Sequence, residues 1–306
     1  MKPFFVVNPH SSCGANRGRF LSIEPQIRAA FPALGYAFTE APLHAIELAE
    51  QAARDGADVV VASGGDGTLN EVACGLIASG RTEYTALAMM AGSTAGDFGR
   101  IAGFPTEPQN VVAYLLAAER RSIDSGMLEF VNRDGKECRR SFLNVASLGI
   151  TGVMDRYMRS TSKTLGRKAS FVVGSARGIW AYRNLQMRIV VDGRPFHEGP
   201  TCMVAIANGK YFFGGLRIAP EAKFDDGVFD VVVFEDVKKA EFVSLASLAY
   251  DGRHHGKPKV RFTRGAEVEV ESIGDALVDV DGELVGRAPV RATIQAGGLT
   301  VLMPRG

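Results

Sequence analysis

Short apolar runs alternate with helical patterns through residues 1–125, and this alternation constrains the fold more than any other feature. Residues 58–63 (DVVVAS) are one such run, in which apolar side chains follow one another without polar alternation. A strand of this kind is buried on both faces, as in a parallel sheet covered by helices. The pattern therefore predicts an α/β domain over residues 1–125.

The elements expected in this domain follow one another in strict order along the chain. Strands are predicted at residues 4–7, 36–39, 58–63 and 84–90. Helical spacing of apolar side chains follows at residues 20–31, 43–54, 69–76 and 111–118.

From about residue 122 onward the pattern changes to alternating strands joined by turn signals. The turns are marked by Asp134-Gly135, Asp192-Gly193, Asp226-Gly227 and Asp281-Gly282. This predicts an antiparallel β-sandwich over residues 126–306, interrupted by helices within 156–183 and 238–250. The last strands are free to return to the first domain.

Charge and hydropathy exclude two classes of protein. The 35 Lys and Arg residues nearly balance the 34 Asp and Glu residues, which argues against a uniformly basic nucleic-acid binder. A bilayer-spanning helix needs about 18 apolar residues in succession, and neither such a run nor a signal peptide is visible. We therefore expect a cytoplasmic protein.

The cysteines and one histidine pair are expected to be chemically inert. The cysteines are far apart, which fits buried reduced thiols better than disulfides or zinc; they are Cys13, Cys74, Cys138 and Cys202. His254 and His255 lie in a basic loop without zinc-site spacing, and we expect both to face solvent.

Residues 62–71 (ASGGDGTLNE) end a predicted buried strand and begin a helix. Glycines allow the backbone to approach a ligand, and the amides at a helix start favour phosphate. The segment matches neither a Walker A loop nor G-x-G-x-x-G. Asp66 beside a polyphosphate implies either a divalent cation or proton transfer, although alone it is equally well explained as a turn residue.

Two further loops follow predicted strands in the same way. They are residues 8–12 (NPHSS) and 91–100 (AGSTAGDFGR), which combine small residues, hydroxyls and, in the second loop, an acid. Because parallel strands deliver their carboxyl-terminal loops to one sheet edge, the three loops are expected to converge.

Four motifs together resemble the diacylglycerol kinase catalytic family, which includes sphingosine and ceramide kinases. They are NP-x-S at residues 8–11, GGDGTLNE at 64–71, GST-x-x-DFGR at 92–100 and VDGE at 280–283. The resemblance covers essentially the whole chain and is greatest to compact bacterial lipid kinases. It implies a Rossmann-like ATP-binding domain of the NAD kinase and phosphofructokinase type, followed by a lipid-binding β-sandwich.

The resemblance also implies roles for acidic residues. Glu283 would accept the proton of the lipid hydroxyl, and Asp66, Asp97 and Asp124 would form the network around catalytic Mg²⁺. In sphingosine kinases the aspartate of GGDG is itself a candidate base, so the division of labour between Asp66 and Glu283 stays open.

Binding residues are implied in the same way. Nucleotide contacts are expected from Asn8, Pro9, His10, Ser11, Ser12, Thr39, Gly64, Gly65, Gly67, Thr68, Leu69, Asn70 and Glu71, with Ser93 and Thr94 as alternatives in the third loop. A structural Mg²⁺ loop would use the Asp226 carboxylate and the carbonyls of Lys223 and Val228.

The third loop departs from the usual bacterial pattern. It has one extra residue, and Gly96 stands where Asn is usual. Residues 91–94 (AGST) resemble the corresponding loop of ceramide and sphingosine kinases more than the common G-T-x-N-D pattern. Diacylglycerol is the expected acceptor, with ceramide or a sphingoid base as the alternative. A soluble nucleotide or sugar kinase and a non-catalytic nucleotide-binding regulator are less favoured.

Residues 156–188 contain eight basic residues and no acidic residue, together with the only tryptophan, Trp180. This composition is typical of a basic amphipathic segment that contacts an anionic membrane surface. The alternative is a solvated helix whose apolar side, including Trp180, packs in the core. We expect peripheral membrane association, no nucleic-acid partner, and leave a homodimer open.

Overall fold

The computed structural model describes residues 1–91, 96–160 and 167–305. The chain forms two compact units, one of Met1–Ser125 with Gln295–Gly306 and one of Gly126–Ile294. Two long strands, β5 (Glu119–Val131) and β15 (Glu283–Met303), each begin in one unit and end in the other. The final residues of the chain therefore belong to the first unit.

The first unit alternates strands and helices. Its other strands are β1 (Pro3–Val7), β2 (Gly35–Phe38), β3 (Val59–Gly64) and β4 (Ala86–Ala91). Its helices are α1 (Asn16–Ala30), α2 (His44–Arg54), α3 (Asp66–Ser79), α4 (Gly96–Ala102) and α5 (Val111–Ala117). Short 3-10 turns occupy Ser12–Gly14 and Pro108–Asn110.

The sheet of the first unit is parallel, as predicted. Its order is β15-β4-β3-β1-β2, and every residue of β3 and β4 is buried. The end of β15 joins β4 in parallel, with Val301 opposite Leu87. Continuous apolar strands thus lie at the centre of the sheet, because helices cover both of their faces.

The second unit is antiparallel. Its remaining elements are β6 (Glu137–Phe142), β7 (Val145–Gly149), α6 (Ile150–Ser160), α7 (Arg167–Ala181), β8 (Leu185–Val191), β9 (Arg194–Thr201), β10 (Met203–Ala207), β11 (Phe229–Phe234), α8 (Lys239–Tyr250), β12 (Val260–Gly265), β13 (Glu267–Ile273) and β14 (Leu277–Val280). The main order is β12-β11-β10-β7-β14-β15; β13 pairs with β15 and β8, β8 with β9, and β5 with β6.

Two apolar clusters build the second unit. One contains Leu148, Ile206, Val231 and Val278 from four strands, and nearly all of its members lie on strands. The other contains Met154 of α6 and Phe242 of α8 packed against Phe234. Because side chains alternate along each strand, one apolar face of the strands packs in the first cluster and the opposite face packs against the helices.

Several expectations about local structure need correction. The predicted helical stretch at 156–183 is two helices, and the first of them begins earlier, at Ile150. The sequence pattern missed α4, which has only seven residues. Cys13 is exposed rather than buried, whereas Cys202 is buried as expected; all four cysteines are free.

His254 also contradicts its prediction, because it is fully buried. Its Nε2 lies 2.9 Å from the carbonyl oxygen of Ile218, and its ring packs beside Phe234 and Phe262. Burial lowers the pKa of His254, so the ring is neutral and structural. Among the helices of the described ranges, none is long and apolar enough to cross a bilayer.

Candidate active site

The loop after β1 is held against the loop after β3. The backbone N–H of Asn8 donates to the carbonyl of Ser63 at 2.9 Å, and its side-chain amide donates to Thr68 Oγ1 at 3.1 Å. The Asn8 side-chain oxygen accepts the N–H of His10 at 3.0 Å. Two of the three predicted loops are therefore joined directly at the carboxyl edge of the sheet.

Asn16, which the sequence did not single out, reinforces this junction. It is fully buried, and its side-chain amide donates to the carbonyls of Asn8 and Ser63 at 2.9 Å each. A polar residue at the start of an amphipathic helix was the available signal, but its partners are 8 and 47 residues away.

The turn between β3 and α3 depends on glycine. A Cβ at Gly64 would lie 2.5 Å from Thr68 Oγ1, which is too close for any side chain. Gly65 precedes the first helical residue in extended conformation, and a Cβ there would meet nothing within 4 Å. The start of α3 is therefore open beside Gly65, which is exposed, as a phosphate site requires.

Asp66 and Asp97 are brought together. The backbone N–H of Asp97 donates to Asp66 Oδ2 at 3.2 Å. A Cβ at Gly96 would lie 1.7 Å from Asp66 Oδ1, and Gly96 has a φ of +68°. The start of α4 therefore closes on the Asp66 carboxylate, and the glycine in place of the usual Asn is what leaves room for it.

The other acids of the predicted network have partners of their own. Asp124 is buried on β5, where its Oδ1 accepts the N–H of Gly297 at 2.8 Å. Asp97 also lies 3.8 Å from the Nε of Arg100. Asp124 thus makes a structural contact with β15, and its place in the Mg²⁺ network stays a prediction.

The remaining predicted nucleotide contacts are distributed along the same loops. Thr39 is buried at the end of β2, and its N–H donates to the carbonyl of Val7. Within α3, Leu69 and Asn70 are buried and face the protein interior. Pro9, His10, Ser11 and Ser12 follow β1, and Gly67 and Glu71 lie in α3. Ser93 and Thr94 lie outside the described residues.

In the second unit, Glu283 is the first residue of β15 and lies opposite Val280 across a two-residue turn. That turn consists of Asp281 and Gly282, with φ values of +49° and +86°. Asp279 is buried beside it and accepts the N–H of Gly282 at 3.0 Å. Burial and the neighbouring Asp155 raise the pKa of Asp279 to about 7.

The predicted structural Mg²⁺ loop contains an ion pair. Asp226 Oδ2 lies 2.6 Å from the guanidinium of Arg264, which also contacts Asp230 at 3.2 Å. Lys223 and Val228 flank this turn, in which Gly227 has a φ of +74°. Asp226 is the only side-chain ligand in the predicted set, and one of its carboxylate oxygens is therefore already paired with the Arg264 guanidinium.

The two predicted Mg²⁺ sites differ in how well their residues suit the ion. In residues 1–91, 96–160 and 167–305, no three His, Cys, Asp or Glu side chains cluster as a metal site. Mg²⁺ usually keeps waters and takes only one or two carboxylates plus substrate phosphates. The adjacent Asp66 and Asp97 fit that requirement, whereas Asp226, the one carboxylate among the predicted ligands of the second site, is already paired with Arg264.

An apolar cavity of about 290 Å³ lies in the second unit between α6, α7 and α8. Its walls include Met154, Ile179, Phe234, Phe242 and Tyr250. Its lining is almost wholly apolar, with Thr151 and two serines as the polar exceptions. Such a cavity suits a hydrocarbon chain rather than a sugar or nucleotide.

Large apolar side chains are exposed on the two helices that border this cavity. Trp180 is 77% exposed and Val172 is 64% exposed on α7, and Val243 is 54% exposed on α8. Lys239 lies over the Trp180 ring at 5.1 Å. Trp180 is therefore not a core residue, whereas Tyr182, from the same basic stretch, is buried.

Two family models match this chain, one in each half. The family model of the diacylglycerol kinase catalytic domain matches residues 2–128. The model of the YegS C-terminal NAD kinase beta sandwich-like domain matches residues 144–303.

Curated relatives and solved structures extend this similarity. A diacylglycerol kinase of Staphylococcus saprophyticus is 27% identical over 86% of this chain and 82% of its own. A diacylglycerol kinase structure from Bacillus anthracis has a TM-score of 0.70 and 22% identity, covering 99% of this chain and 96% of that one. Yeast NADH kinase, solved with NADH, has a TM-score of 0.55 at 10% identity, covering 100% and 84%.

Proposed function

The chain belongs to the diacylglycerol kinase family of lipid kinases, and from this premise we propose that it transfers the γ-phosphate of ATP to the free hydroxyl of diacylglycerol. The observation that carries the proposal is the junction of loops around Asp66. There, a helix start with open space beside Gly65 and two adjacent aspartates lie at one sheet edge. This combination suits a polyphosphate with Mg²⁺.

Each loop of the first unit has a distinct task in this proposal. The amides at the start of α3 bind phosphate oxygens, and Asn8 fixes the two loops relative to each other. Asp66 and Asp97 would hold Mg²⁺, which when bound neutralises the phosphate charge that develops during transfer. Asp66 is oriented by the Asp97 N–H and by close packing against Gly96.

Glu283 accepts the proton of the attacking hydroxyl in this proposal. Phosphoryl transfer needs an in-line alcohol and a proton acceptor but little covalent help from the protein. Asp66 is held by the backbone of α4, a placement that suits orienting a ligand, whereas Glu283 begins a strand after a two-residue turn and is partly exposed. This contrast favours Glu283 as the base.

The second unit supports a lipid acceptor. The apolar cavity between α6, α7 and α8 would take hydrocarbon from the substrate. A soluble sugar or nucleotide would need polar partners that this lining largely lacks. A labelled-ATP assay against diacylglycerol, monoacylglycerol, ceramide and sphingosine tests the proposal, with phosphatidic acid as the expected main product. Preferential labelling of ceramide or sphingosine would reassign the acceptor, and labelling of no lipid would contradict the proposal.

Contact with an anionic membrane surface would bring the enzyme to this substrate from the cytoplasm, where ATP is available. The exposed Trp180 and Val172 lie on a helix within a stretch that lacks acidic residues. Trp180→Ala should weaken flotation with vesicles that contain phosphatidylglycerol. Ile273→Ala, at a site that is 79% exposed on β13, is the matched control and should leave flotation unchanged. Equal behaviour of the two variants would remove this surface from the proposal.

A further inference from the structure

We propose that Asp281 is a positioning residue, whose carboxylate fixes the turn that presents Glu283. The proposal rests on the role of Glu283 in the proposed function. Asp281 comes two residues before Glu283 and occupies the first position of the turn between β14 and β15. Its side chain contacts the backbone of residues 143–145.

The Asp281 carboxylate accepts three backbone hydrogen bonds from that segment. Its Oδ2 accepts the N–H of Leu143 at 2.8 Å, and its Oδ1 accepts those of Asn144 and Val145 at 3.0 Å each. In addition, the N–H of Asp281 donates to the carbonyl of Val145 at 3.0 Å. Charged acceptors make stronger hydrogen bonds than neutral ones, so the turn is firmly tied to residues 143–145.

The supporting segment is itself fixed from its other side. The carbonyl of Asn144 accepts the N–H groups of Asn208 and Gly209 at 2.8 and 2.9 Å. The side-chain amide of Asn208 donates to the carbonyl of Leu143 at 2.8 Å. Residues 143–145 therefore form a rigid support, and a turn bound to it holds the first residue of β15 in a defined place.

A second Asp-Gly turn in the same unit has a similar carboxylate but contains no predicted site residue. Asp192 has a φ of +48°, close to that of Asp281, and Gly193 follows it. Its Oδ1 accepts the N–H groups of Ala266 and Glu267 at 2.9 Å each. Because the two turns share conformation and contacts, Asp192 provides an internal reference for the structural cost of losing the carboxylate.

The test compares Asp281→Ala with Asp192→Ala in the 306-residue chain. Both variants place alanine at a left-handed position and remove a backbone-binding carboxylate, so both should lose thermal stability to a similar degree. Only Asp281→Ala should lower kcat for lipid phosphorylation, by roughly 10- to 100-fold, because the base is misplaced. The KM for ATP should not change in either variant.

Asp281→Asn is the conservative variant and guards against failure of the alanine variant to fold. It keeps one oxygen for Asn144 and Val145 but turns an amide toward the N–H of Leu143, so kcat should fall between wild type and Asp281→Ala. Normal kcat in both Asp281 variants, or equal kcat losses in Asp281→Ala and Asp192→Ala, would overturn the proposal.

Hydrogen exchange separates this proposal from the proposed function. Peptides covering residues 279–285 and 143–145 should lose protection in Asp281→Ala and keep it in Asp192→Ala, whether or not any lipid is phosphorylated. Unchanged protection in Asp281→Ala would contradict the proposal that the Asp281 carboxylate fixes this turn to residues 143–145. Absence of lipid phosphorylation in wild type, with this exchange pattern intact, would instead contradict the proposed function.

Discussion

The two candidate catalytic acids lie in contrasting surroundings. Asp66 begins a helix, receives a backbone hydrogen bond from Asp97 and packs against Gly96 so closely that no side chain fits there. Glu283 begins a strand after a two-residue turn and is partly exposed. In the proposed function, this difference suits Asp66 to orienting a ligand and suits Glu283, on a turn held by Asp281, to accepting a proton.

Among variants of the first unit, the largest expected effect comes from Asp66→Asn. An amide keeps an oxygen for the Asp97 N–H and nearly the same volume, so the fold should be preserved. Loss of the charge should lower kcat by roughly 10²- to 10³-fold and also raise the KM for ATP, because the residue orients a charged ligand. Steady-state kinetics with a thermal melt check this. An unchanged KM for ATP would remove the contrast with Glu283.

Gly96→Ala tests whether close packing against Asp66 matters. Gly80→Ala is a matched control, since both glycines have a φ of +68° but a Cβ at Gly80 would meet nothing within 4 Å. Both variants carry the left-handed penalty of about 1–2 kcal/mol, and Gly96→Ala should lose more stability and also activity. Urea unfolding and turnover measure the two effects.

A cycle with Asp66→Ala assigns the cause of that additional loss. Once the carboxylate is gone, Gly96→Ala should cost no more stability than Gly80→Ala, because the atoms that clash have been removed. A persistent excess cost in the Asp66→Ala background would show that Gly96 acts through some other contact.

Asp279→Asn probes the electrostatics beside the Glu283 turn. Asp279 faces Asp155, Asp281 and Glu283, and burial raises its pKa to about 7 in the folded protein. The folded state therefore binds more protons than the unfolded state between about pH 4 and pH 7, so the residue's contribution to stability falls as pH rises through that window.

The variant should remove this dependence. At pH 8 it should be more stable than wild type by up to about 4 kcal/mol, and the difference should vanish near pH 4. Asparagine keeps an acceptor for the Gly282 N–H, so the turn is retained. Denaturant unfolding at the two pH values measures the difference, and a constant difference at both would contradict the assignment.

Local patterns in the sequence predicted much of the fold. The continuous apolar run at 58–63 became the buried centre of a parallel sheet, and the Asp192-Gly193 and Asp281-Gly282 pairs became left-handed turns. These features depend on residues close together in the chain, whose conformational preferences are visible without knowledge of the fold.

Other features depended on contacts between distant residues. The polar sequence around His254 indicated a solvent-facing ring, yet the Ile218 carbonyl and two phenylalanines enclose it. The role of Asn16 and the steric limit at Gly96 likewise appear only when loops from different strands meet. Long-range packing of this kind leaves no periodic signal in the sequence.

Glu283→Gln tests the central contrast most directly. The variant keeps size and polarity but cannot accept the hydroxyl proton, so transfer from labelled ATP to diacylglycerol should fall by roughly 10²- to 10⁴-fold. ATP affinity, measured by equilibrium binding, and thermal stability should stay at wild-type values. Near-normal phosphatidic acid formation by Glu283→Gln would contradict the proposal that Glu283 is the base and would favour Asp66 in that role.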